Sequence, residues 1–125
     1  MIVDIVRVSE KAKHQLLTLK RRTGILQWNV LCRWALLTSL AERNVPPFEE
    51  IITDSNVEMS WKTFAGTLDD AITAVVLQRA HEDRVPAAQL QQFFKIHLHR
   101  GIAYLLNSAS DLRGLLSTIS EKKTT

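Results

Sequence analysis

Two histidines one residue apart (His97 and His99), a single cysteine (Cys32) and the carboxylate pairs Glu49-Glu50 and Asp69-Asp70 are the side chains suited to metal binding, nucleophilic attack or acid–base work. Their spacing argues against each. On a helix, residues i and i+2 point in roughly opposite directions, so His97 and His99 cannot share one ion. They read as one packed and one solvated histidine. No second Cys and no His-x-x-x-His pair completes a ligand set. The helical neighbours of Cys32 are largely apolar, which raises a thiol's pKa and quiets it, so it reads as a small buried hydrophobe. The four glycines are isolated, so there is no Gly-rich phosphate loop. The carboxylate pairs read as solvated loop and helix-start charges. These residues describe a protein that is not an enzyme and has no metal or cofactor.

Charge is the stronger signal. Between residues 5 and 40 stand Arg7, Lys11, Lys13, Lys20, Arg21, Arg22 and Arg33 against the single acid Glu10. That stretch carries +6 in a chain of net charge +3, so the remainder sums to −3. A concentrated positive patch on a small domain is an electrostatic footprint for a polyanion.

The elements that must position this patch follow from periodicity. Residues 2–8, rich in Val and Ile, predict a short strand. Ser9 is a helix N-cap candidate. Ala12, Leu16 and Leu19 then share one helical face, and Gly24 is suited to close that helix. Asn29 is a candidate cap for a second helix running to about Glu42. Val30, Leu31, Trp34, Ala35, Leu36, Leu37, Leu40 and Ala41 encircle it. A helix that is apolar all round is buried on all sides. A 125-residue monomer has few places for one, so self-association is expected, with Trp34, Leu36, Leu37 and Leu40 in the oligomer core.

Pro46 and Pro47 end this first unit. Residues 48–67 predict an irregular or hairpin segment anchored by Trp61 and Phe64. Thr67 and Asp70 resemble a capping box with Asp in place of Glu. A third helix is predicted over 68–84, buried through Leu68, Ala71, Ile72, Val75 and Val76, with Asp69 and Asp70 at its positive end and Arg79, His81 and Arg84 near its negative end. Pro86 opens a fourth, over about 87–107, buried through Leu90, Phe94, His97 or Leu98, Gly101 and Leu105. Gly101 inside it indicates close backbone approach by a neighbour. A short last helix is predicted over 110–120, and the final KKTT is expected to fray.

The fold class is therefore mainly α: a helical, oligomer-forming domain with a short N-terminal strand. Residues 1–125 read as one domain, with a basic strand–helix–helix unit at 1–42 and a helical remainder at 68–120. Hydrophobic residues make up 46% and charged residues 23% of the chain, an ordinary globular balance. One Cys excludes an internal disulfide and is compatible with a reducing cytosol. MIVDIVRV lacks the pattern of a signal peptide, and no run approaches the roughly 18 apolar residues of a membrane span. A cytoplasmic protein with no membrane association is expected.

The order strand, basic helix, turn, second helix is similar to a ribbon-helix-helix unit, in which paired strands enter the DNA major groove. Here the strand alternates poorly, Asp4 and Arg7 being its only polar residues, which weakens direct base reading. A second resemblance covers nearly the whole chain. KRRTGILQWNVLCRWALLTSLAE (20–42), EMSWKTFAG (58–66) and HLHRGIAYL (97–105), in that order, resemble the DndE family, the small subunit of the bacterial DNA phosphorothioation system. The resemblance implies a non-catalytic component of DNA sulfur modification. It implies a mostly helical homotetramer that binds double-stranded DNA and favours nicked duplex. Its partners would be an adenylating iron–sulfur protein and an ATPase of the SMC type. The family's DNA contacts are attributed to surface lysines, which here would be Lys11, Lys13, Lys20 and Lys62. Charge adds Arg21 and Arg22. Two other classes stay open: a ribbon-helix-helix transcription regulator, and an assembly scaffold whose basic patch docks an acidic partner.

Overall fold

A computed structural model of the chain describes residues 1–108. The last predicted helix, over 110–120, and the KKTT end lie outside the described residues. The chain runs through β1 (Ile5–Arg7), α1 (Glu10–Thr23), α2 (Trp28–Ala41), β2 (Glu58–Ser60), α3 (Trp61–Ala65), α4 (Asp69–Glu82) and α5 (Leu90–Ser108). Single 3-10 turns at Gly66–Leu68 and Ala87–Gln89 lead into α4 and α5. The architecture is mainly α.

The N-terminal strand forms, but its partner lies in its own chain. β1 pairs antiparallel with β2, with Ile5 opposite Ser60, Val6 opposite Met59 and Arg7 opposite Glu58. The Arg7 guanidinium closes the ladder on the Glu58 carboxylate. A ribbon-helix-helix protein pairs this strand with a second copy, so the likeness to that family stops at the order of elements.

α1 forms as its sequence predicts. The Ser9 hydroxyl accepts the Ala12 N–H at 3.1 Å. Ala12, Leu16 and Leu19 are buried. Gly24, at φ 75°, ends the helix in the left-handed region and donates its N–H to the Lys20 carbonyl. At α2 the expected Asn29 cap is replaced. The helix begins at Trp28, two residues earlier than that cap implies, Gln27 caps it without a side-chain bond, and Asn29 donates instead to the Thr63 carbonyl of α3 at 3.3 Å.

The burial of α2 also differs from expectation. Leu31, Cys32, Ala35, Leu36 and Leu40 are buried within the chain itself, because α5 packs along α2 more extensively than any other pair of elements. A chain of this size does house an almost wholly apolar helix once a longer one covers it. The side left over carries Trp34, half-buried, and the exposed Leu37 and Ala41. The close approach foreseen at Gly101 is made to Ala35: a Cβ on Gly101 would lie 1.7 Å from the Ala35 carbonyl oxygen.

Trp61 and Phe64 are anchors, as expected, but on a short helix capped by Ser60. Their rings meet Phe94 of α5 in a mutually tilted cluster with centroids 5.4–5.6 Å apart. The Thr67–Asp70 capping box does not form. α4 starts at Asp69 behind Leu68, with no side-chain cap, and the Asp69 carboxylate accepts from the Trp61 indole at 2.7 Å and the Thr73 hydroxyl at 3.2 Å. The α4 stripe is narrower than predicted. Ile72 and Val76 are buried and the buried side continues through Arg79 and Ala80, whereas Leu68, Ala71 and Val75 face outward. In α5 both His97 and Leu98 are buried.

Two arginines close the carboxyl end of α2, where the last carbonyls have no partner inside the helix. Arg79 was expected near the end of its own helix. It stands there, in the last turn of α4, and its side chain, the residue being only 8% exposed, crosses to α2. Its guanidinium donates to the carbonyls of Leu40 and Glu42 at 2.8 and 2.7 Å and to the Asp83 carboxylate at 2.9 Å. Arg100 donates to the Ser39 hydroxyl at 2.8 Å, the Ser39 carbonyl at 2.9 Å and the Asn44 carbonyl at 2.6 Å. The Ser39 hydroxyl, accepting from Arg100, also shares a hydrogen bond with His97 Nδ1 at 2.8 Å. His97 Nε2 is buried without a partner among the described residues.

Two outcomes follow from this packing. Gly101→Ala should force α2 and α5 apart and lower stability by about 3 kcal/mol or more, at the upper end of overpacking costs, read by urea or thermal unfolding. Unchanged stability would mean that the two backbones are not in contact. Burial, and then the charges of Arg100 and Arg79, hold the His97 imidazole down at about 4, against an ordinary 6.5. The unfolded chain therefore takes up a proton on this residue before the folded chain does. The resulting stability is present above the ordinary value and is lost as pH falls from about 6.5 towards about 4. NMR titration should show one imidazole with a midpoint near 4; four imidazoles all titrating near the ordinary value would contradict the burial of His97.

Candidate nucleic-acid interface

The cations expected to form one cluster divide by what they touch. Arg7 is held by Glu58. Arg33 reaches from α2 to the Ala65 carbonyl at 3.4 Å and braces α3. Lys13 lies 3.9 Å from the Glu10 carboxylate. Lys11, Arg21 and Lys62 are exposed and carry no ion pair among the described residues. Arg22 is exposed and makes one long contact, 3.4 Å, to the Leu106 carbonyl.

α1 spreads these charges. Lys11 stands in its first turn, beside a groove of about 550 Å³ between α1, α5 and the segment carrying Pro46, Pro47, Glu49 and Glu50. Lys20, Arg21 and Arg22 occupy its last turn, where cations also complement the negative end of the helix dipole. Ten residues of helix separate Lys11 from Arg21, a rise of about 15 Å.

The last-turn group is the more ordered. The Lys20 ammonium sits 3.4 Å from the centroid of the Trp28 ring, a cation–π contact that fixes it at the amino end of α2. Partial burial there lowers the Lys20 pKa, and Cys32 beneath it raises it. The Asn29 and Arg33 bonds to the carbonyls of Thr63 and Ala65 bring α3, and with it Lys62, to the same end of α2. Lys20, Arg21 and Arg22 thus stand at the α1–α2 junction, Lys62 on a helix bonded to the first half of α2, and Lys11 and Lys13 at the far end of α1.

The reactive candidates are occupied. Cys32 is fully buried, and burial pushes its thiol up to about 12 despite the nearby Lys20; at neutral pH it stays protonated. His99 was expected to be solvated. It is half-buried instead: Nδ1 donates to the Lys95 carbonyl at 2.7 Å, and Nε2 accepts the Ser9 N–H at 3.0 Å. It ties α5 to the start of α1. His97 faces Ser39 on α2. The two histidines therefore serve different neighbours, and no group of three metal-ligating side chains occurs among the described residues.

The four residues assigned to an oligomer core part company. Leu36 and Leu40 are buried in the chain's own core, Trp34 is half-buried, and Leu37 is 37% exposed. Sequence reasoning missed Arg79 and Arg100 as caps of α2. The available signal was Arg79 on the Ile72, Val76 stripe at i, i+4 and i+7.

The family model for DndE, DNA sulphur modification protein DndE, matches residues 5–112. No curated protein matches the chain significantly. Among solved structures, DndE from Escherichia coli B7A, involved in DNA phosphorothioation modification, is 23% identical with a TM-score of 0.69, over 84% of this chain and 98% of that one. A double glycine-to-lysine mutant of DndE, involved in DNA phosphorothioation, is 20% identical with a TM-score of 0.65 over the same shares. These structures share the fold. No described helix is long and apolar enough to cross a membrane. The family match begins at β1 and runs through α5, taking in the basic helix, the Trp61–Phe64 anchor and the α2–α5 contact; the chain belongs to the DndE family of DNA sulphur modification proteins.

Proposed function

We propose that this chain is the non-catalytic, DNA-binding component of phosphorothioate modification. It holds double-stranded DNA by its phosphates, prefers a nicked duplex, and works in the cytoplasm as a homotetramer alongside an adenylating iron–sulfur protein and an SMC-type ATPase. One observation carries the reading: Lys11, Arg21 and Arg22 of α1 are exposed and have no acidic partner among the described residues, while the only thiol is buried and protonated. Lys11, Lys13, Lys20, Arg21, Arg22 and Lys62 supply point charges, which position a protein on the DNA backbone. β1, which would have to read base edges in a ribbon-helix-helix regulator, is engaged with β2. A nick removes backbone continuity and lowers the cost of bending, so phosphates on both sides can reach a divided basic surface.

Self-association has support in what α2 and α4 leave uncovered. Leu37 on α2, Leu68 in the turn before α4, and Ala71 and Val75 on α4 are exposed apolar residues that a second copy would bury. Repeating the basic patch around an oligomer multiplies its phosphate contacts.

Two experiments test this reading. Intact and nicked duplexes of one sequence, compared at matched ionic strength, should both bind, the nicked one more tightly. Log affinity should fall linearly with log salt, with a slope of roughly −0.9 per phosphate neutralised. Arg21→Ala should weaken all sequences alike and flatten that slope. Equal affinities would remove the nick preference. A salt-independent affinity, or one tied to a particular operator, would remove the phosphate-led mechanism. A complex with a partner subunit that is lost on charge reversal, without measurable DNA affinity, would favour the scaffold reading. For assembly, light scattering of the wild type should give a tetramer mass, and Leu37→Lys should reduce that mass while keeping the thermal melt. Leu36→Lys, which buries a charge in the chain's own core, should unfold it. A monomer mass for the wild type at micromolar concentration would overturn the tetramer.

A further inference from the structure

Gly24–Gln27 join the basic end of α1 to the amino end of α2. Within this turn Leu26 is 67% exposed, although Ile25 and Trp28 on either side of it pack against the core. The turn is held at both ends. Gly24 donates its N–H to the Lys20 carbonyl at 2.9 Å, and the Ile25 N–H donates to the Thr23 hydroxyl at 3.2 Å. Beyond it, the Gln27 carbonyl accepts the Leu31 N–H at 3.4 Å, and Asn29 is bonded to α3. Leu26 is an apolar tip on a rigid base.

Its surroundings set it apart from the exposed apolar residues of the segment between α2 and β2. Val45, Phe48 and Ile52 share their segment with Glu49, Glu50 and Asp54. Leu26 follows Lys20, Arg21 and Arg22, and no acid occurs between Glu10 and Glu42. An apolar tip that closely follows three cations in sequence fits a partner that is anionic outside and apolar within. Duplex DNA has that construction, with phosphates flanking stacked bases. Architectural DNA-binding proteins insert Leu, Ile, Phe or Met between base steps in this way.

We propose that Leu26 is a wedge that enters between adjacent base pairs while Lys20, Arg21 and Arg22 hold the flanking phosphates. This rests on the DNA-binding reading above and gives it a physical source for the preference for nicks. Inserting a side chain unstacks one step, and a step whose backbone is interrupted opens at lower cost. The backbone bonds at both ends of the turn limit the ordering that insertion requires.

The test uses the full chain and two duplexes of one sequence, intact and nicked, each with 2-aminopurine beside the step of the nick. Wild type should raise the fluorescence of the nicked probe as the base unstacks. Leu26→Ala should lose that rise and bind the nicked duplex about tenfold more weakly, the scale of losing one buried apolar side chain. Its melting temperature should be unchanged, because the side chain is exposed. Leu26→Phe should keep the rise. Arg21→Ala should weaken both duplexes yet keep the rise at saturation. A Leu26→Ala protein with wild-type affinity and fluorescence would overturn the wedge and leave phosphate-led binding standing, as would a wild type that binds with no rise. A wild type that binds neither duplex would overturn the DNA reading and the wedge together. Leu26-dependent binding to phosphatidylglycerol vesicles, without a DNA signal, would reassign the tip to a membrane surface.

Discussion

The contact between the backbones of Ala35 and Gly101 sets the distance on which the rest of the structure depends. Only a glycine lets α5 lie this close to α2. At that separation Ser39 on α2 meets both His97 and Arg100 on α5, and Leu31, Cys32 and Leu36 become core residues of a single chain. The close approach also brings the carboxyl end of α2 under two guanidinium groups. Carbonyls at a buried helix end cost free energy unless something donates to them. Arg79 and Arg100 do so with charge-assisted bonds, and Asp83 offsets part of the positive charge collected there. With its middle and its carboxyl end fixed, α2 has one orientation, and so does its amino end, where Trp28 lies beneath Lys20.

The basic character of the chain therefore has two physical meanings. Arg33, Arg79 and Arg100 are internal donors, each aimed at backbone carbonyls of a neighbouring segment. Lys11, Arg21 and Lys62 are solvated charges with no ion pair among the described residues. Net charge counts both kinds alike. The guanidinium group suits the first task because its planar fork satisfies several carbonyls at once. The +6 of residues 5–40 accordingly overstates the charge available to a partner, since Arg7, Lys13 and Arg33 are engaged within the chain.

What the sequence made legible was local. The Ser9 cap, the Gly24 terminator, the α1 stripe and the close approach at Gly101 all rest on backbone geometry or on a spacing of a few residues. What it hid was long-range. Nothing near β1 announces that its partner lies at Glu58–Ser60, or that His99 accepts the backbone N–H of Ser9 across 90 residues of chain. Asn29 has the composition of a cap, but its amide finds a better partner on α3, and the helix starts a residue before it. The apolar residues that encircle α2 point to an oligomer core, and nothing local shows that α5 is long enough to cover most of them. Of the candidate site, the cations were legible as a group. Their division at the two ends of α1, and the position of Leu26 among the second group, needed the turn at Gly24 to be seen.

That turn fixes how the basic surface meets a partner. The Cys32 thiol is pushed far above neutral pH and the imidazole of His97 far below it, both by the same desolvation that makes the core stable. The exposed cations of α1 act through position. Rigidity is what gives that position value: a lysine resting on an indole ring, a turn bonded at both ends and a helix locked at its far end present a fixed pattern of cations. A polyanion meeting such a pattern loses little to ordering the protein, so more of the electrostatic attraction remains as affinity.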